Sequence, residues 1–295
     1  MNVMELKGVV KQIGDFTLGP IDLEIPTGST CAIIGDNGSG KSTLLKLILG
    51  LAKENEGKIH LFGSERIHSD DRWRSRVAYQ SQTLKGCDRL TGRDLEKLIS
   101  KFSSSFKHTS FRQYVRELDI PLNKPIINLS EGVHKKLNVA LTLAQDSELT
   151  IFDEPTAHMD IHAQKFVISE MVRQLEEDSS KTILFASHQL DDIRKLADYL
   201  LFIRKGVFLG MVEKDELSSM FIRYWVDTLP HEKVPGTVMQ GKQGHELVSI
   251  DKKHTENALE KAGIKVIQKT KVELDDIIPW ILSGEVQLKK SPVFN

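Results

Sequence analysis

Two short stretches hold the residues best suited to chemistry. GDNGSGKST (35–43) is a glycine-rich run ending in a lysine and two hydroxyls, and LTIFDEPT (149–156) is an apolar run ending in adjacent carboxylates. The first fits G-x-x-x-x-G-K-[ST], in which glycines let the backbone turn successive N–H groups inward as a nest for an anion. On that pattern Gly35, Asp36, Asn37, Gly38, Ser39, Gly40, Lys41, Ser42 and Thr43 form a phosphate cradle. Lys41 would reach the β- and γ-phosphates of a nucleotide, and Ser42 would ligand Mg2+. At average composition the four fixed positions match by chance in a chain of this length about 1% of the time. The carboxylates can divide the labour: Asp153 would hold Mg2+ through water, and Glu154 would polarise an attacking water as general base. A strand ending in Asp-Glu is often only structural; downstream of a phosphate loop it is read as metal ligand and base.

A phosphate loop works between a strand and a helix, so these residues depend on the elements around them. Apolar runs CAIIG (31–35), LTIFD (149–153), TILFAS (182–187) and YLLFI (199–203) predict strands buried on both faces. Helical patterns run over 41–51, 131–145 and 161–176; in the second, Val133, Leu137, Ala140, Leu141 and Ala144 form one apolar stripe. This alternation predicts an α/β fold with a mostly parallel sheet. Residues 84–128 are more polar and helical, with TGRDLEKLISKF and SFRQYVREL as helices, so a helical insert is expected over about 84–145. Composition shifts after Val212, and 229–246, rich in Gly, Pro and polar residues, reads as loop or hairpin. ELVSI, HTENALEKAG, IKVIQK and DDIIPWIL then suggest strand, helix, strand, helix. The expected division is a domain over 1–220 and a small α/β module over 221–295.

Composition narrows the partners. Forty Lys+Arg against 41 Asp+Glu give a net charge of -1, without the basic field that phosphate-backbone binding needs, so no nucleic acid is expected. Cys31 and Cys87 lack redox or zinc spacing and are expected reduced and buried. The start lacks a signal-peptide core, and no run of about 18 apolar residues occurs, so a cytoplasmic chain that meets a membrane through a partner is expected. His158 and His162 stand four apart but lack the Glu of a zinc motif. RWRSR (72–76) and the terminal KK pair read as solvated charge.

With both motifs in place, residues 4–217 resemble the ATP-binding subunits of ABC transporters. Gln82 in VAYQSQTL stands at that family's Q-loop, LSEGVHKK at its signature motif, Asp160 in AHMD at its D-loop, and His188 in SHQL at its switch histidine. The resemblance implies a P-loop NTPase-type sheet with a helical subdomain, and hydrolysis of ATP to ADP and phosphate with Mg2+. It implies that Gln82 couples Mg2+ and the attacking water to the membrane partner, and that Ser130, Glu131 and Gly132 act in trans on the nucleotide of a facing subunit. The partners implied are a transmembrane permease and a second ATPase subunit, as homodimer or heterodimer, on the inner face of the cell membrane.

Departures from the family pattern set further expectations. Ile13 stands where an aromatic residue usually stacks on adenine, an interaction worth about 1–3 kcal/mol, and Phe16 is the nearby substitute. Weak discrimination between ATP and GTP is expected. Against L-S-G-G-Q-x-x-R the chain has Glu131, Val133 and Lys136. Glu131 suits a helix N-terminus but repels a phosphate, so in a homodimer it must point away; Lys136 keeps the charge of Arg without its fork. Residues 206–221 and the module after them resemble the C-terminal extension of exporters of drugs, peptides or antibiotics. An exporter ATPase is the leading expectation, with a soluble ATPase acting on ribosomes or DNA, or a regulatory nucleotide-binding module, as alternatives.

Overall fold

The apolar β-branched runs become strands, as a computed structural model shows for residues 1–295 other than 67–70, 85, 231, 233, 241–244 and 289–295. The chain divides into two compact units, Met1–Phe208 and Leu209–Asn295. In chain order the first contains β1 (Asn2–Ile13), β2 (Phe16–Pro26), β3 (Thr30–Ile34), α1 (Lys41–Ile48), β4 (Glu56–Leu61), β5 (Ser64–Glu65) and β6 (Val77–Gln80). There follow α2 (Gly92–Phe102), α3 (His108–Glu117), α4 (Glu131–Leu143), β7 (Leu149–Asp153), α5 (Ile161–Glu177), β8 (Thr182–Ala186), α6 (Leu190–Leu196) and β9 (Tyr199–Arg204). β10 (Val207–Glu213) crosses the division.

Five parallel strands lie in the order β9-β3-β8-β7-β6. Every residue of β3, β7 and β8 is buried, as strands covered on both faces should be. Their register brings the C-terminal ends level: Ile33 of β3 and Asp153 of β7 both pair with Ala186 of β8. Ligand sites in such sheets form beyond these carboxyl ends.

A second sheet, β2-β1-β4-β5, is antiparallel. Its β1–β2 hairpin turns at Gly14, whose φ of 57° suits glycine, and sets Ile13 opposite Phe16. α2 begins in a capping box, Thr91 with Asp94. α1 ends at Ile48, three residues short of the sequence pattern. Cys31 is buried, but Cys87 is only half-buried, because it stands in an irregular segment rather than a strand. Arg76 of the 72–76 charge run is not simply solvated: it makes a two-pronged ion pair with Glu148 at 2.6 Å and lies over the Phe62 ring.

The second unit contains α7 (Lys214–Met220), β11 (Ile222–Val226), β12 (Thr237–Gln240), β13 (Glu246–Ser249), α8 (Lys252–Lys261), β14 (Val266–Lys271) and α9 (Leu274–Ser283). An antiparallel sheet, β12-β13-β11-β14, packs around Tyr224, Val226, Val234, Leu247 and Leu259. β12 supplies the hairpin expected within 229–246, where residues 231, 233 and 241–244 lie outside the described residues, as does the terminal KK pair.

Candidate active site

β3 delivers the chain into a loop that closes as α1 begins at Lys41; Gly35 and Gly40 are there for space, whereas Gly38, at φ 76° with nothing near it, is there for its backbone angle. A Cβ on Gly35 would lie 2.2 Å from the Ile203 carbonyl oxygen. Gly40, at φ 116°, would put one 2.9 Å from Leu18 and 3.2 Å from Phe16, so the loop packs directly on the β1–β2 hairpin. Lys41 is buried, and its Nζ donates to the loop carbonyls of Gly35 at 2.7 Å and Asp36 at 3.2 Å, which holds the ammonium across the cradle. The buried Ser39 hydroxyl within the loop has no hydrogen-bond partner among the described residues.

The loop borders a cavity of about 410 Å³, which brings together Ile13, Phe16, Asn37, Gly38, Gly40, Lys41, Ser42, Thr43, Gln82, Asp153 and Glu154. At one point on its wall Ser42 Oγ donates to Asp153 Oδ2 at 3.3 Å, and Gln82 Nε2 reaches Asp153 Oδ1 at 3.5 Å. A hydroxyl, a carboxylate and an amide that can turn its oxygen inward are hard donors of the kind Mg2+ takes beside phosphate and water, so the residues present fit the ion. Burial pushes the Asp153 carboxyl above its ordinary range, Lys135 opposes this and Glu154 adds to it.

Glu154 occupies the left-handed region at φ 55°, with its N–H donating to the Ala186 carbonyl at 2.9 Å. That turn carries its carboxylate to His188, whose Nδ1 lies 2.8 Å from Glu154 Oε2. Glu154 is 12% exposed and His188 66%, so the imidazole covers the carboxylate from the solvent side. A carboxylate so held can accept a proton from water.

Ser130, Glu131, Gly132 and Asp160 do not line this cavity. They form a second cluster at the N-termini of α4 and α5. Ser130 caps α4 and Asp160 caps α5 through Ala163 N–H at 2.9 Å. Gly132 packs on the D-loop, where a Cβ would lie 2.7 Å from the His158 carbonyl oxygen. Glu131 Oε1 lies 3.4 Å from His158 Nε2, and Lys136 Nζ lies 2.6 Å from Asp160 Oδ2. The Lys136 ammonium and the Ala163 N–H hold the Asp160 carboxyl down at about 2.

One residue of the site escapes sequence reasoning. Lys135, 4% exposed, donates from Nζ to the Asp153 carbonyl at 2.8 Å, and burial pushes its ammonium down to about 8. Its neighbours along α4, Asn138 and Thr142, are also buried, and this polar row at helical spacing is the signal that could have found it.

Residues 18–157 match the family model described as ABC transporter. A protein of Archaeoglobus fulgidus provisionally named as an ABC transporter ATP-binding protein is 31% identical over 217 residues, covering 69% of this chain and 87% of its own length. A ribose import ATP-binding protein, RbsA of Caldanaerobacter subterraneus, is 24% identical over 282 residues, covering 90% of this chain and 55% of its own. In fold the chain resembles the dimeric post-hydrolysis structure of the cassette MJ0796 bound to ADP and Pi, at a TM-score of 0.61 and 21% identity, over 71% of this chain and 98% of that one. The chain belongs to the ABC transporter ATP-binding family, whose ATP-binding domains bind ATP with Mg2+ and hydrolyse it.

Proposed function

We propose that this chain energises a membrane exporter, working at the inner face of the cell membrane beside a transmembrane permease and closing face to face with a second ATPase subunit. The observation that carries the hydrolytic part is the 2.8 Å contact of Glu154 with His188 at the edge of the cavity that holds the phosphate loop. Lys41 and the N–H groups of the loop hold the β- and γ-phosphates. Ser42, Gln82 and Asp153 would hold Mg2+, which would neutralise charge developing on the phosphates. Glu154 takes the proton of the attacking water, and His188 fixes the aim of its carboxylate. Ile13 and Phe16 flank the base. Ser130 and Gly132 stand outside the chain's own cavity, which supports a role for them at the nucleotide of a facing subunit.

Export rests on the likeness of the C-terminal extension to exporters of drugs, peptides or antibiotics; the matched relatives include several named for ribose import. Among the described residues no helix is long and apolar enough to cross a membrane.

Glu154→Gln tests the chemistry. Loss of a general base predicts a fall in turnover of about 10²- to 10⁴-fold, with an ATP-bound dimer accumulating on size exclusion in Mg2+. Undiminished turnover would remove Glu154 from this role. A polytopic protein co-purifying from membranes supports the transport reading; co-sedimentation with ribosomes overturns it.

A further inference from the structure

The peptide group joining Asp153 to Glu154 is gripped at both ends. Its carbonyl accepts from Lys135 Nζ at 2.8 Å, and its N–H donates to the Ala186 carbonyl at 2.9 Å. Glu154 is held there at φ 55°, where a side chain with a Cβ rarely sits, so the tilt of the peptide depends on its restraints. The two restraints differ in origin. Ala186 belongs to β8, a buried central strand in register with β7. Lys135 belongs to α4, the helix whose N-terminus carries Ser130 and Gly132.

A lysine is a poor choice if only space must be filled. Burying an ammonium sacrifices its hydration, and leucine or methionine would fill a helix–sheet gap without that cost. What lysine adds is a charged donor on a long stem, and it is aimed at the one main-chain oxygen that sets where the next residue, Glu154, begins. The same helix grips a second loop of the site: Asn138 Nδ2 donates to the carbonyl of Ser81, the residue before Gln82, at 2.7 Å. Lys135 stands five residues beyond Ser130, about 7.5 Å along the helix axis. A shift of the helix N-terminus as a rigid body therefore reaches the Asp153 carbonyl nearly undiminished.

We propose that Lys135 is a positioning residue that makes the aim of Glu154 depend on the seat of the signature helix, so that α4 engaged on a facing subunit's nucleotide aligns the base of its own chain. This rests on the reading above, in which Ser130 and Gly132 act across the dimer and Glu154 acts within the chain. Lys135 does not line the cavity. It links the two sites of a dimer through one helix.

Lys135→Met keeps the length of the side chain and removes the donor. In the purified chain, or in the complex with its second subunit if turnover requires one, kcat is expected to fall at least tenfold while KM for ATP changes less than threefold. ATP-driven dimerisation, measured by size exclusion in the Glu154→Gln background, stays at the parent level, because it needs the phosphate loop and Ser130 but not an aimed base. Lys135→Gln, with a donor on a shorter stem, recovers part of kcat. The proposal is overturned if Lys135→Met keeps kcat within twofold of the parent, or if dimerisation falls in step with kcat, which would make Lys135 a support of α4 alone. Should Lys135→Met not fold, the split between kcat and KM in Lys135→Gln decides by the same criteria. A parent that hydrolyses ATP but forms no ATP-driven dimer overturns the reading of function, and this proposal with it.

Discussion

A methyl group at Gly132 tests how tightly the signature loop must sit on the D-loop. The added Cβ would begin 2.7 Å from the His158 carbonyl oxygen, whereas ordinary contact begins at 3.4 Å, which leaves about 0.7 Å to be made up. The obstacle is main chain, not a flexible side-chain end. His158 is itself held at φ 63°, so the simplest relief is displacement of the α4 N-terminus. Overpacking of this kind costs about 1–3 kcal/mol, and for a unit of this size each kcal/mol lowers Tm by about 2–4 °C. Misplacing a catalytic group by about 1 Å costs about 10²-fold in rate; a displacement of about 0.7 Å then predicts a loss of roughly tenfold or somewhat more for Gly132→Ala. KM for ATP should hold within threefold, because the phosphate loop is untouched. Steady-state ATPase assays and thermal melts on parent and variant measure both quantities. A variant with parental kcat would refute the reasoning, since it would mean that the loop can move 0.7 Å without consequence.

Ile13→Tyr puts a ring at the hairpin tip opposite Phe16 and should tighten ATP binding by about 1–3 kcal/mol, or about 5- to 150-fold; nucleotide titration checks this, and unchanged affinity would remove Ile13 from the base-binding surface. The parent should turn over GTP at a rate comparable to ATP, and a strong ATP preference would count against that expectation. Asp160, held at about 2 in the folded chain against its ordinary 3.8, contributes stability that is fully present above about pH 4 and is lost as pH falls through about 2. Asp160→Asn should therefore lose stability at pH 7 and show a shallower acid decline, as read by urea unfolding between pH 2 and 7; parallel curves would falsify the assignment.

The phosphate loop and the carboxylate pair were legible because their chemistry is local: the loop closes on itself within nine residues, and Asp153 and Glu154 end a strand whose apolar run marks it. His188 was legible only by order along the chain, since nothing nearby in sequence predicts that β8 lies beside β7. Lys135 was passed over, although it shares a polar row with Asn138 and Thr142. In a helix read by its apolar stripe a lysine is assigned to solvent, and what buries this one is a carbonyl 18 residues away. The antiparallel sheet was also missed, because Gly8, Gly14 and Gly19 interrupt the alternation of β1 and β2 and their pairing shifts register three times. Glu131 and His158 looked like separate oddities in two motifs; the fold places their side chains 3.4 Å apart.

The level ends of β3, β8 and β7 have a consequence for how such a site tolerates change. The cradle loop leaves the end of β3 and Asp153 ends β7, so these two strand ends stand two inter-strand steps apart, about 9–10 Å, and the loop closes that span to set Ser42 against Asp153. Backbone hydrogen bonds, common to every sequence, rule that distance. The sheet is thus a gauge block for a polyphosphate. Loops, helices and even the base-stacking ring can drift until barely a fifth of residues agree with a cassette of the same fold, while the gauge keeps its length.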